Sequence, residues 1–284
     1  MNQYTANHFI PSTYLKQWYI TEQPYYSAFR YQTEIGKYKK MGFFTPGNSY
    51  VKENQLYWLD TKDEKNKISI ENAFAKKEQK LGKVFKKLKS TTQDLDLNEK
   101  RQILDFSAKQ EAENQIKYMM FKQSFTFDEY YHMKMALSLD EEIRNLPISG
   151  ISQPFWSRSK QNFIRDLGKG SIFIYDVSKS DYVLITSNYP VIYNNLFSAD
   201  RFDICFPFTP NKVFFCISEK SIGIFRDMMK TFDINDLVIQ INKKTLKQHI
   251  NNPIKEYQIF SNTTQLEKVL DKKFFSEFFV DEVK

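Results

Sequence analysis

Ser171-Ile172-Phe173-Ile174-Tyr175-Asp176-Val177 and Tyr182-Val183-Leu184-Ile185-Thr186 form the stretch on which the fold class turns. Both runs are rich in β-branched and aromatic residues, and polar Ser178-Lys179-Ser180-Asp181 lies between them, so the pair is predicted as a β-hairpin. Ser187-Asn188-Tyr189-Pro190 then ends the second strand. Downstream, strands are expected at 202–206 and 212–217, with Pro207 and Pro210 confining the loop between them. Residues 219–231 and 233–251 read as helices and 256–260 as a last short strand. From 265 onward the chain reads as a Lys- and Phe-rich helix.

Upstream the character changes. Residues 25–51 alternate rings, β-branched residues and turn signals, which predicts short strands or extended segments. The clearest helix covers 70–88, with Ser69 as a cap. There Ile70, Phe74, Leu81, Val84, Phe85 and Leu88 fall in one stripe and Lys76, Lys80 and Lys83 lie opposite. Asp96 and Glu99 suit a capping box for a second helix running to about residue 121. Further helices are expected over 127–146 and 154–167. The fold class is therefore α+β: a helical layer, roughly 52–167, packed on a mainly antiparallel sheet with flanking helices. The break Ile148-Ser149-Gly150-Ile151-Ser152 separates extended segments and a helical bundle (1–150) from the sheet half (151–284), within one compact unit.

Composition narrows the function. Aromatic residues reach 16%, so large rings carry much of the packing, and 8 Gly and 9 Pro are too few for a loop-rich chain. Cys205 and Cys216 are the only cysteines; both sit in apolar runs and no CxxC exists, which points to packed thiols. No apolar run is long enough to span a bilayer and Met1-Asn2-Gln3-Tyr4 does not begin a signal peptide, so a soluble, cytoplasmic protein without a membrane partner is expected. A net charge of +7 permits a nucleic-acid partner, though lysines on solvated helix faces would give the same balance. Lys37, Lys39 and Lys40 around Tyr38 read either as a phosphate-facing ribbon or as a Lys-guarded edge strand. A partner protein or a homo-oligomer is equally open.

The candidate site starts from His8-Phe9-Ile10-Pro11-Ser12-Thr13-Tyr14-Leu15-Lys16-Gln17-Trp18, an imidazole a few residues before a short helix. Ser12 or Thr13 can cap that helix, and Tyr14, Leu15 and Trp18 share one side. Glu71 and Glu78 project beside the apolar stripe of their helix, where each either faces a cleft or pairs with a lysine. Seven residues separate them by roughly 10 Å along the axis, too far for one ion without further ligands. Gln110 and Asn114 lie one turn apart among apolar residues, as buried cross-links or as ligand contacts. Three histidines in all leave little room for a multi-His metal centre, and there is no P-loop, GxGxxG, HExxH or GxSxG.

Three pieces together resemble a broad bacterial family known only as domain of unknown function 4238. They are His8-x-x-Pro11-x-x-Tyr14-Leu15-Lys16-x-Trp18, the helix bearing Glu71 and Glu78, and Ile185-Thr186-Ser187-Asn188-Tyr189-Pro190 with the later Phe206-Pro207-Phe208-Thr209-Pro210. The last is similar to the family's Ser-Asp-Asn-Pro turn, but Asn188 stands where the family usually has Asp. The resemblance implies a toxin or defence-effector setting and leaves the reaction unnamed. Weighed with the residues, it supports two expectations. The first is a nuclease-like hydrolase of RNA or DNA phosphodiesters. His8, Glu71 and Glu78 would be its catalytic groups, and Tyr14, Lys16, Gln110, Asn114, Ser187 and Asn188 its substrate contacts. It would act by acid/base chemistry or with Mg²⁺ or Mn²⁺ on Glu71 and Glu78. The second is a non-catalytic nucleic-acid- or ligand-binding module. A nucleotide hydrolase is a third, smaller alternative.

Overall fold

The computed structural model describes residues 6–8, 10–20, 23–46, 52–54, 69–90, 96, 98–99, 102–103, 106, 171–193, 203–251 and 257–280. The chain forms two compact units, Met1–Thr13 with Gly47–Asp166 and Tyr14–Pro46 with Leu167–Lys284. Helices and antiparallel sheets are both present, which makes the fold α+β.

In the first unit, β1 (Ala6–His8) pairs antiparallel with β4 (Lys52–Asn54), placing His8 opposite Lys52. The amphipathic stripe forms α2 (Ser69–Ser90), with Leu81, Val84, Phe85 and Leu88 buried and Lys76, Lys80 and Lys83 exposed. Phe85 meets Phe106 edge-on at 6.1 Å. The capping box forms as its residue types require: the Glu99 N–H donates to Asp96 at 2.8 Å and the Asp96 N–H to Glu99 at 2.9 Å. The helices expected over 127–146 and 154–167, and the far end of the capped one, lie outside the described residues.

The second unit holds two four-stranded antiparallel sheets. One has the order β3 (Lys37–Phe44), β2 (Tyr26–Gln32), β10 (Gln258–Ser261), β6 (Thr186–Ser187). The other has the order β5 (Ser171–Asp176), β9 (Lys212–Ile217), β8 (Ile204–Thr209), β7 (Ile192–Tyr193). The 25–51 expectation thus resolves into one hairpin. Its register slips at Ala28/Phe29, where Gly42 takes φ +126, a conformation that side chains avoid.

Three expectations are corrected here. The 171–186 hairpin does not form: β5 pairs with β9, and the second run crosses to the other sheet as β6. Its apolar residues are held by distant partners, with the Val183 N–H on Lys268 O, the Leu184 N–H on Pro210 O and the Ile185 N–H on Asn242 Oδ1. Pro207 lies within β8 rather than in a loop. β7 pairs with β8 only at Ile204 and Cys205, and a bulge between Pro207 and Thr209 absorbs the missing donor. The C-terminal helix is broken into a 3₁₀ turn (Leu266–Lys268) and α5 (Lys272–Phe278), which Asp271 caps. The expected helices appear as α3 (Ile222–Thr231) and α4 (Ile234–Asn251).

α1 (Ser12–Leu15) continues as a 3₁₀ turn (Lys16–Trp18), and Tyr14, Leu15 and Trp18 are fully buried, as their spacing predicts. α4 lies on the ring-rich face of the first sheet. Tyr38 donates to Leu246 O (2.7 Å) and Tyr257 to Thr245 O (2.6 Å), while rings of Tyr31, Tyr38, Tyr257 and Tyr189 follow one another across that face.

Candidate functional site

His8 sits on β1 and the chain then turns through buried Ile10 and Pro11 toward Thr13. A Cβ added at Gly82 of α2 would lie 3.2 Å from the Thr13 methyl, closer than ordinary contact, so glycine eases this approach. Gly82 is four residues, one helical turn, beyond Glu78, which is half-buried and engaged. The segment that follows His8 therefore meets the paired-Glu helix one turn from Glu78. Only the backbone of His8 and of Glu71 is described, and Gln110 and Asn114 lie outside the described residues. Among the described residues no group of three His, Cys, Asp or Glu could hold a metal ion.

The remaining candidates belong to the second unit, and three of them have structural duties. Tyr14, expected as a substrate contact, is fully buried; its hydroxyl lies 2.7 Å from Thr186 Oγ1 on β6 and donates to Pro207 O on β8, joining the two sheets. Burial holds its hydroxyl proton far above the usual phenol range. Ser187 is likewise sealed from water: Oγ donates to Tyr189 O (2.7 Å), accepts the Tyr189 N–H (3.0 Å) and lies 3.4 Å from Gln248 Oε1 of α4. Asn188 extends a ladder that β6 begins. Its N–H donates to Gln258 O and its Oδ1 accepts the Gln258 N–H, both at 3.0 Å. Lys16, in contrast, is exposed on its 3₁₀ turn.

Residues that sequence reasoning passed over hold this region together. Asn242 of α4 accepts the Ile185 N–H at 3.0 Å and donates to Val183 O and Val269 O at 2.8 Å each. Gln248 donates to Val191 O (2.9 Å) and its Oε1 lies 2.8 Å from the Tyr257 hydroxyl. Burial raises the Tyr257 and Tyr38 hydroxyls well above the phenol range, so both act as fixed donors. A signal was present: Asn242 and Thr245 occupy the same side of α4 as Val238, Ile241 and Leu246, and polar groups at such positions need partners.

Two groups of lysines reach solvent on the second unit. β3 is the outer strand of its sheet, with Lys39 and Lys40 exposed and Lys37 half-buried. Beside it Phe43 is 52% exposed, its ring 4.9 Å from that of Tyr25. On α4 and α5, Lys243 lies 3.0 Å over the Phe274 ring and Lys247 pairs with Glu277 at 3.5 Å. Burial lowers the Lys243 ammonium from its ordinary value. Both cysteines are buried and in no disulfide, and burial pushes the Cys216 thiol up to about 12. Among the described residues no helix is long and apolar enough to cross a membrane.

No curated protein and no solved structure matches this chain. The family described as "Protein of unknown function (DUF4238)" matches residues 6–252, most of the sequence, and the chain belongs to that family.

Proposed function

We propose that this protein is a nucleic-acid-binding module that grips phosphates without chemistry at the Ser187-Asn188 turn. The observation that carries the reading is the lysine-lined outer strand β3. Lysines on an outer strand often serve only to prevent edge-to-edge association. Here the chain already covers that edge at its middle: the Val280 N–H donates to Tyr38 O and Phe279 bridges to Tyr38. Lys37, Lys39 and Lys40 therefore flank a position that needs no guard. Tyr38, tied to Leu246 O, fixes the strand beneath them, and exposed Phe43 offers a ring for base contact. A binding test with single-stranded RNA over a salt series checks it. Replacing the three lysines by Gln should flatten the slope of log K against log[salt] by roughly 2. An unchanged slope defeats the reading.

A second reading is favoured by the contact of Thr13 with Gly82, one turn from Glu78. It is a nuclease-like hydrolase or toxin/defence effector in which His8 moves the proton and Glu78 is its partner. Glu71 and Glu78 would take Mg²⁺ or Mn²⁺ only with further ligands from the chain. Expression of wild type, His8→Ala and Glu78→Ala, scored for toxicity and nucleic-acid integrity, separates the two. Cleavage lost in both variants favours hydrolysis, and identical behaviour of all three removes the catalytic assignment. A cytoplasmic setting and a defence role are part of the same proposal.

A further inference from the structure

β5 is an outer strand of the second sheet, and among the described residues nothing guards its free side. Proteins protect such an edge with lysine, proline, a bulge, shortness or a covering segment. The other outer strands of the two four-stranded sheets have such devices. β6 and β7 are two residues long, and β3 carries Lys37, Lys39 and Lys40 and is covered at Tyr38. β5 runs six residues with no Lys, no Pro and no shift in its register against β9. Ile172, Phe173, Ile174 and Tyr175 are all half-buried, whereas β8 and β9 are buried along their whole length.

The ladder fixes which main-chain groups of β5 point away from the sheet. The Val177 N–H donates to Asn211 O at 2.8 Å, one step beyond the Asp176–Lys212 pair. Hydrogen-bonded pairs alternate along an antiparallel ladder, so Ser171, Phe173 and Tyr175 direct their N–H and C=O groups to β9. Ile172, Ile174 and Asp176 direct theirs outward, and among the described residues these groups have no hydrogen-bond partner. An open row of this kind is a template for one more strand.

We propose that two copies of this chain join edge to edge through β5, antiparallel about a twofold axis at Ile174. Ile174 then faces Ile174 of the second copy, and Ile172 faces its Asp176. Each such pair exchanges two main-chain hydrogen bonds, so every outward group is met. Phe173 stands opposite Tyr175 in the closer, non-hydrogen-bonded pairing, an aromatic couple that the symmetry makes twice. Charge selects the strand's own copy, run in reverse. Asp176 is the only charged residue of β5 and stands at its end. Antiparallel self-pairing keeps the two carboxylates roughly 14 Å apart along the strands, whereas parallel pairing in register would set them side by side. An axis perpendicular to the sheet also keeps α3 of both copies on one side. There Phe225 packs on Phe173 and Phe215 at 5.0 and 5.1 Å, and neighbouring Ile224 is 58% exposed, which extends the apolar surface beyond the strands. Such a pairing is isologous and closed, so it consumes the bare edge without propagating.

Light scattering after gel filtration of the full chain at tens of micromolar should give twice the mass of one chain. Ile174→Lys sets two ammonium groups face to face and should halve that mass while keeping the circular dichroism of wild type. Ile174→Cys should cross-link two copies on oxidation, because Cα atoms of a hydrogen-bonded pair lie about 5.5 Å apart, within disulfide reach. Ile172→Cys should not. Cys205 and Cys216 are buried and do not compete. The cross-link keeps the test alive if Ile174→Lys fails to fold. Hydrogen exchange should show the amides of Ile172, Ile174 and Asp176 protected in wild type. A monomeric wild type overturns the inference: freely exchanging amides then leave the edge to a strand of another protein, and protected ones mean that this chain covers it. A dimer that survives Ile174→Lys overturns it too, as does one that cross-links through Ile172→Cys and not through Ile174→Cys.

Discussion

Asn188 decides between a chemical and a structural role for the turn after β6, because the resemblance puts an Asp there. β6 is two residues long, and Asn188 continues its pairing with β10 by a main-chain N–H on one side and a side-chain oxygen on the other. Asn188→Ala keeps the first bond and removes the second. The Gln258 N–H is then left without its acceptor at a residue 1% exposed. A buried donor stripped of its partner costs about 1–3 kcal/mol. For a unit of this size that lowers Tm by roughly 2–12 °C.

Asn188→Asp behaves differently. A carboxylate oxygen accepts the same N–H, and the stronger charged acceptor offsets the partial burial of the charge at this half-buried position. The Asp variant should stay within about 1 kcal/mol of wild type. On this account Asp and Asn are interchangeable acceptors that hold a short strand to its neighbour, and the substitution leaves the fold intact. Urea unfolding followed by circular dichroism reads the stabilities, and RNA binding and cleavage assays run alongside. An Ala variant with an unchanged midpoint refutes the reasoning. So does an Asp variant that gains cleavage, because the residue would then serve chemistry and not pairing.

Other expectations follow from the same packing. Tyr14→Phe should lose about 1–3 kcal/mol by unpairing Thr186 and Pro207 O, with RNA affinity unchanged; weakened binding at full stability would return Tyr14 to the substrate surface. Asn242→Leu leaves the Ile185 N–H, Val183 O and Val269 O unpaired together, so a loss of about 3 kcal/mol or more is expected in chemical denaturation, and a neutral variant would contradict it. Burial moves the Cys216 thiol from 9.0 to about 12, so native protein at pH 8 holds roughly one thiolate in ten thousand and a thiol reagent should label it only on unfolding. Because the folded value is the higher one, the neutral thiol's contribution to stability is intact below the unfolded thiol's value and is lost as pH rises toward 12, and a melting series from pH 8 to 11 checks it. Phe85→Ala, which empties the contact with Phe106, should cost about 3–5 kcal/mol and spare RNA binding.

What could be read from the sequence was local, and what could not depends on partners far along the chain. The stripe Leu81, Val84, Phe85, Leu88 and the Asp96–Glu99 box are fixed by residues within one or two turns, and both stand as the spacing predicts. The run 182–186 is equally apolar and β-branched, but strand composition is silent about which strand will pair. Its donors find Lys268, Pro210 and Asn242, from 26 to 85 residues away, and those contacts carry it out of a hairpin and into the other sheet. The candidate site divides along the same line. Tyr14, on the short helix after His8, and Ser187, at the turn after a β run, both carry hydroxyls that the sequence leaves open to a substrate. In the structure Tyr14 bonds to Thr186 and to Pro207, 193 residues distant, and Ser187 to its own turn and, at 3.4 Å, to Gln248. A hydroxyl next to a motif is thus weak grounds for a site.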